Sequence, residues 1–149
     1  MKNIRFSSVA LVLISVVAVA CSETPASPTS PSSGSGSLAL TSGQLAGTWT
    51  LTALQPAGQA SQSSPAAYTI SFAEGRVSTR VDCNMCSGGF TISGQTLTVG
   101  PNLACTRAAC PTMAFETLYT AILGGDHTVE VSGSTLVLSS SRGRLAFTQ

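Results

Sequence analysis

The stretch YTISFAEGRVSTRV, residues 68–81, decides the fold class. Tyr68, Ile70 and Phe72 alternate with Thr69, Ser71 and Ala73; Glu74-Gly75 then punctuates, and Val77, Thr79 and Val81 alternate with Ser78 and Arg80. A period of two places one set of side chains in a core and the other in water, which is the pattern of a half-buried strand. Two such runs joined by a short Gly-bearing turn form an antiparallel hairpin.

Working outward, the same period recurs from about Ala39 to the C-terminus. Trp49 and Leu51 alternate with Thr48, Thr50 and Thr52. Phe90 and Ile92, Leu97 and Val99, Val129 and Val131, Leu136 and Leu138, and Leu145 and Phe147 repeat the scheme. Short Gly turns separate them at Ser93-Gly94-Gln95, Ser132-Gly133-Ser134 and Ser141-Arg142-Gly143. One segment breaks the period: Phe115, Leu118, Tyr119, Ile122 and Leu123 fall at i, i+3, i+4, i+7 and i+8, an apolar stripe on a helix. Pro111 suits its first turn and Gly124-Gly125 its end, so the spacing predicts a helix over about 112–123. The expected order is five strands, one helix and three strands. The fold class is therefore mainly β (α+β), a small antiparallel barrel meander of about eight strands with one helix packed on it. The polar segment 55–67 (QPAGQASQSSPAA) reads as a long, mobile loop.

The N-terminal part is of another kind. Lys2 and Arg5 precede Val9–Ala20 (VALVLISVVAVA), an apolar run interrupted only by Ser15. Twelve helical residues rise about 18 Å, well short of the roughly 30 Å hydrocarbon core, so the run reads as a signal-peptide core. Ala18-Val19-Ala20 satisfies the small-x-small cleavage rule, and with Cys21 it resembles a bacterial lipobox, although Ala18 stands where Leu is favoured. Ser22–Ser37 (SETPASPTSPSSGSGS) is too polar to form a core and reads as an extended tether. The organisation expected is a signal peptide over 1–20, a lipid-anchored linker over 21–42 with Cys21 as the lipidation site, and one domain over 43–149. Loss of residues 1–20 removes Lys2 and Arg5 from the seven basic residues. Five Arg then face six carboxylates, a net charge of about −1. That balance lacks the basic stripe of a nucleic-acid binder.

Cys83, Cys86, Cys105 and Cys110 form an even set in an exported domain, which reads first as two disulfides with three possible connectivities. The spacing C-x2-C and C-x4-C also resembles a zinc or iron–sulfur site. A third reading makes Cys83-Asn84-Met85-Cys86 a redox pair, but the pair is expected to end a strand and run into Ser87-Gly88-Gly89, where a helix N-terminus would be needed.

The residues Leu45–Leu51 (LAGTWTL), Cys83-Asn84 with Ser87-Gly88-Gly89-Phe90, Thr106–Pro111 (TRAACP), Phe115-Glu116, Leu136-Val137-Leu138 and Leu145-Ala146-Phe147 together resemble the META-domain family, the HslJ-type heat-inducible bacterial lipoproteins (DUF306). The resemblance covers essentially residues 43–149. It implies a small antiparallel barrel with one helix, a Cys83–Cys110 bridge, and an association with envelope stress and drug tolerance without established catalytic residues. Cys86 and Cys105 are additions to the pattern, most simply a second bridge, and Asp82 stands where the family usually has Gly.

No catalytic residue, metal ligand or cofactor is assigned. His127, the chain's single His, lies beside Asp126 at an expected turn and reads as solvated. Glu116 on the helix is expected to bond Arg107 or a nearby backbone donor. The Ser-rich stretches have no paired base to activate a hydroxyl. The function expected is that of a non-enzymatic cell-envelope lipoprotein, monomeric and held to a membrane by its N-terminal lipid, with an envelope protein as partner. Ser22 lacks the acid that retains lipoproteins at the inner membrane, which favours a periplasm-facing outer-membrane location. Two alternatives share the Gly47-x-Trp49 opening: a small-barrel periplasmic protease inhibitor and a lipocalin-like ligand binder. In all three, Trp49 reads first as a core plug.

Overall fold

The structure is a computed structural model in which residues 39–149 are described. The expected signal peptide, Cys21 and most of the linker lie outside the described residues. A short 3-10 helix, Ser42–Leu45, precedes ten strands and one α-helix: β1 (Thr48–Pro56), β2 (Gln62–Ser63), β3 (Tyr68–Ala73), β4 (Arg76–Val81), β5 (Asn84–Ser93), β6 (Thr96–Val99), β7 (Ala104–Cys105), α1 (Met113–Leu123), β8 (Gly125–Ser132), β9 (Thr135–Ser140) and β10 (Gly143–Thr148). Eight of the strands follow one another around the sheet in the order β1-β3-β4-β5-β6-β8-β9-β10, all antiparallel. Leu51 and Leu54 of β1 lie opposite Phe147 and Leu145 of β10, which closes the barrel. Closure removes the sheet edges that a flat meander of this length would leave open.

The hairpin 68–81 forms as its period requires, with Tyr68 opposite Val81 and Phe72 opposite Val77. Its inward set is buried and its outward set is Ser, Thr, Ala and Arg. Glu74 at φ 50° and Gly75 at φ 72° make the turn in the left-handed region, where Gly carries no Cβ penalty. The lumen is filled by side chains: Trp49, Tyr68, Tyr119, Phe147, Leu54, Ile70, Leu97, Leu136, Leu138 and Leu145 are all essentially unexposed. Tyr68 meets Phe115 and Tyr119 edge to face at ring-centroid separations of 5.1 and 5.4 Å, an arrangement that suits the ring quadrupoles.

Because the meander alternates direction, its turns fall at two ends. The Glu74-Gly75, Gly94 and Gly133 turns mark one end. Leu40 reaches that end, donating its N–H to the Gly94 carbonyl at 2.8 Å. The 3-10 helix plugs it with Leu45, whose carbonyl accepts Trp49 Nε1–H at 3.1 Å. The Asp82-Cys83 and Ser141-Arg142 turns mark the opposite end, and α1 covers that one. Its Phe115, Tyr119, Ile122 and Leu123 point into the barrel, as the helical stripe predicts.

Three expectations on the domain need correction. Residues 55–67 are not a free loop. β1 runs on to Pro56, and Gln62–Ser63 folds back against Leu54 and Ala53. The segment satisfies its own polar groups through Gln55 Nε2–H to the Gln59 carbonyl, Ala57 N–H to the Arg142 carbonyl and Ser64 N–H to the Thr52 carbonyl. Nor does the Cys83–Cys86 stretch end a strand; β5 begins at Asn84, carries Ser87-Gly88-Gly89 inside it and pairs with β4 from Asn84 to Gly89. The period is hidden because the inward Gly88 has no side chain, and Leu103 occupies its place: a Cβ there would lie 2.7 Å from Leu103 Cδ2. Finally, His127 is not solvated. Gly124 caps the helix and β8 begins at Gly125, so no loop intervenes; the alternation carries Asp126 outward and His127 inward, 1% exposed.

Candidate functional site

Asp82, the four domain cysteines, Asn84 and Glu116 meet at the helix end, where the β4–β5 turn, the segment 104–112 and the first turn of α1 converge, while Trp49 lies at the plugged end. The four cysteines are joined as Cys83–Cys110 and Cys86–Cys105. The pairing is the one the family resemblance implies, and it leaves no thiolate to offer a metal. Among the described residues no three His, Cys, Asp or Glu side chains are grouped to hold an ion. Cys86 and Cys105 face each other across β5 and β7, so the second bridge staples a two-residue strand that backbone bonds alone would hold weakly.

Asn84 is the hub of this end and is 1% exposed. Its Oδ1 accepts Ala108 N–H at 2.8 Å and Thr106 Oγ1–H at 3.0 Å. Its Nδ2 donates to the Ala108 carbonyl at 3.0 Å, to Glu116 Oε2 at 3.1 Å and toward Cys110 Sγ at 3.2 Å. Thr106 Oγ1 in turn accepts the Met85 N–H at 3.0 Å. One amide side chain thus binds the 106–110 loop to the barrel and to the helix. Glu116 therefore serves Asn84; the expected bond to Arg107 or a backbone donor does not form. Reading the sequence alone missed Asn84 as anything beyond a motif letter. The available signal was its place directly after the bridged Cys83, with the Thr106–Pro111 motif to receive it.

Asp82 explains its own departure from the family's Gly. Its φ of 58° is in the left-handed region, which Gly enters freely and Asp tolerates. The carboxylate then caps α1: Oδ2 accepts Thr112 N–H at 3.2 Å and Thr112 Oγ1–H at 2.7 Å. Negative charge at a helix N-terminus is favoured by the backbone dipole. Since the Thr112 hydroxyl proton is committed to Asp82, the Tyr68 hydroxyl must be the donor in its 2.8 Å contact with Thr112 Oγ1. By the same reasoning, Thr79 Oγ1–H donates to the Thr69 carbonyl at 2.7 Å, so Tyr119 donates to Thr79 Oγ1 at 2.8 Å. Burial raises the Tyr119 phenol far above its ordinary value, and the Thr79 contact only partly offsets this. These chains of hydroxyls and carboxylates end in satisfied partners. They lock the helix onto the barrel and expose no activated nucleophile.

Two of the depressions on the outer wall lie beside residues named above. One, about 560 Å³, is polar and is lined by Asp126, His127 and Thr128 of β8, Thr96 of β6 and the Ser139–Ser141 stretch. The other, about 440 Å³, is more apolar and runs beside β7 between Met85, Ala104 and Thr106. Met85 is 52% exposed there.

Comparison with known proteins agrees with this architecture. An NMR structure of a protein from Burkholderia xenovorans is similar with a TM-score of 0.59 at 22% identity, over 72% of this chain and 84% of that one. A second protein solved by NMR is similar with a TM-score of 0.57 at 24% identity, over 73% of this chain and 94% of that one. These likenesses establish the shared fold. No curated protein matches the chain. Residues 40–149 match the META domain, and on that match the chain belongs to the META domain family.

Proposed function

We propose that this chain is a non-enzymatic cell-envelope lipoprotein in which Cys21 carries the lipid and the META barrel engages an envelope partner. The observation that carries the reading is the polarity of the barrel. The described chain starts at the end plugged by the 3-10 helix, with Leu40 bonded to Gly94. The helix, both disulfides and the Asn84 cluster gather at the opposite end. An anchor upstream of Ala39 would leave that opposite end for a partner. The rigid staple of two bridges suits a surface that must keep its shape outside the cytoplasm. A filled lumen favours this reading over a lipocalin-like carrier, whose barrel has to be hollow.

The family's association with envelope stress and drug tolerance supplies the expected physiological setting, and Ser22 supports the outer membrane as the site. The test is fractionation of cells carrying wild-type protein or Cys21→Ser. Wild-type protein in the membrane fraction and the variant in the soluble periplasmic fraction support the reading. Equal distribution of the two refutes the anchor.

A further inference from the structure

The helix end also carries a buried imidazole that the cluster around Asn84 does not use. His127 sits under the last turn of α1 on the inward face of β8, opposite Leu97 of β6. Its Nε2 lies 2.7 Å from the Leu123 carbonyl. A carbonyl only accepts, so Nε2 carries the hydrogen. In the neutral ring Nδ1 is then a bare acceptor, and it is buried with no partner. The charged groups acting on the ring are Asp126 beside it and Arg142 of the β9–β10 turn. Asp126 points outward and accepts Thr98 Oγ1–H at 2.7 Å. The Arg142 guanidinium lies over Gly125, so near that a Cβ there would meet Nη2 at 2.5 Å. The other packed elements bring no charge close. α1 has only Glu116, at its far end; β6 and β9 have none; and Arg144 of β10 belongs to the outward set that pairs with Ser139.

We propose that His127 is a pH-sensitive latch that fastens the C-terminal turn of α1 to the barrel when neutral and releases it in acid. A proton added at Nδ1 would create a buried donor with nothing to receive it and a second positive charge beside Arg142. Burial accordingly lowers the imidazole's proton affinity and Arg142 adds to the effect, while the Leu123 carbonyl and Asp126 oppose it. A state in which the last turn of α1 and the 141–143 turn lift away returns the ring to water and to its ordinary value of 6.5. The sign follows: the closed form is fully favoured above that value and loses ground as pH falls below it. Between about pH 7.5 and about pH 5 the open-to-closed ratio can rise by up to roughly thirtyfold from this one group. Opening uncovers Ile122 and Leu123, which are buried in the closed form. The inference goes beyond the anchoring reading and does not depend on it.

The test is amide hydrogen exchange of residues 119–127 and 141–145 at both pH values, corrected for the intrinsic rate, in the wild type and in His127→Gln. Glutamine can still donate to the Leu123 carbonyl but does not titrate. The expected result is opening that grows severalfold to thirtyfold in acid for the wild type and stays flat for His127→Gln. Wild-type protection that does not change with pH, or an equal change in the variant, overturns the latch. Should the variant not fold, the wild-type ring decides by NMR. A ring that titrates near its ordinary value while the α1 amides stay protected overturns the proposal; a ring that stays neutral until those amides open upholds it.

Discussion

Replacement of Asn84 by Ala tests the idea that one side chain holds the helix end together. The change removes acceptors from Ala108 N–H and Thr106 Oγ1–H, and donors from the Ala108 carbonyl and Glu116. A lost neutral bond that strands a buried group costs about 1–3 kcal/mol, and a bond to a carboxylate lies at the upper part of that range. Thr106 and Ala108 are both exposed and water can replace their lost partner, so their shares are small. The bond to Glu116, with those small shares, then accounts for about 2–3 kcal/mol in sum. That is a large fraction of the roughly 5–15 kcal/mol available to a domain. With about 4–5 °C lost per kcal/mol for a domain near this size, the melting temperature should fall by roughly 8–15 °C. The assay is thermal and urea unfolding under non-reducing conditions, with intact mass confirming that both disulfides have formed. Asn84→Asp sharpens the test, because it keeps an acceptor for Ala108 N–H but sets a carboxylate against Glu116. It should be destabilised at neutral pH and partly recover as the pH falls through the carboxylate range. A melting temperature for Asn84→Ala within about 3 °C of wild type would refute the hub.

Two further outcomes follow from the same geometry. Cys83→Ser or Cys110→Ser removes a bridge with a sequence separation of 27 and should cost about 2–4 kcal/mol by the chain-entropy account, read as a lowered urea midpoint in the oxidised protein; an unchanged midpoint for both would show the bridge idle. The buried Tyr119 phenol, with its proton affinity raised by burial, makes the fold fully stable below the ordinary tyrosine range and weakens it above about pH 10, by up to about 1.4 kcal/mol per pH unit. Tyr119→Phe should flatten that alkaline fall while losing about 1 kcal/mol at neutral pH through the unmet Thr79 contact. An alkaline unfolding curve identical in the variant would show that Tyr119 is not the group responsible.

What could be read in advance was whatever depends on neighbours in the chain. The 68–81 hairpin, the helical stripe from Phe115 to Leu123 and the strand alternation are local periods, and each appears at its expected place. The barrel's closure followed from counting strands whose edges needed partners. What escaped depends on contacts distant in sequence or on what a residue lacks. Gly88 hid the continuity of β5 because its inward position is filled by Leu103. His127 looked like a turn residue because nothing local says that β8 starts directly after the helix cap. Asn84 and Asp82 act on partners 24 and 30 residues away, which no period encodes. For the two bridges, the spacing allowed three connectivities; the family resemblance chose among them and the structure has that pairing.

The central claim, a lipid-anchored chain carrying a twice-bridged META barrel, is tested most directly by the intact mass of the protein extracted from membranes and alkylated without reductant. The account predicts a chain starting at Cys21, heavier by a triacyl modification and free of alkyl additions. A chain starting at an unmodified Cys21 residue, or four alkyl groups on Cys83, Cys86, Cys105 and Cys110, would contradict it.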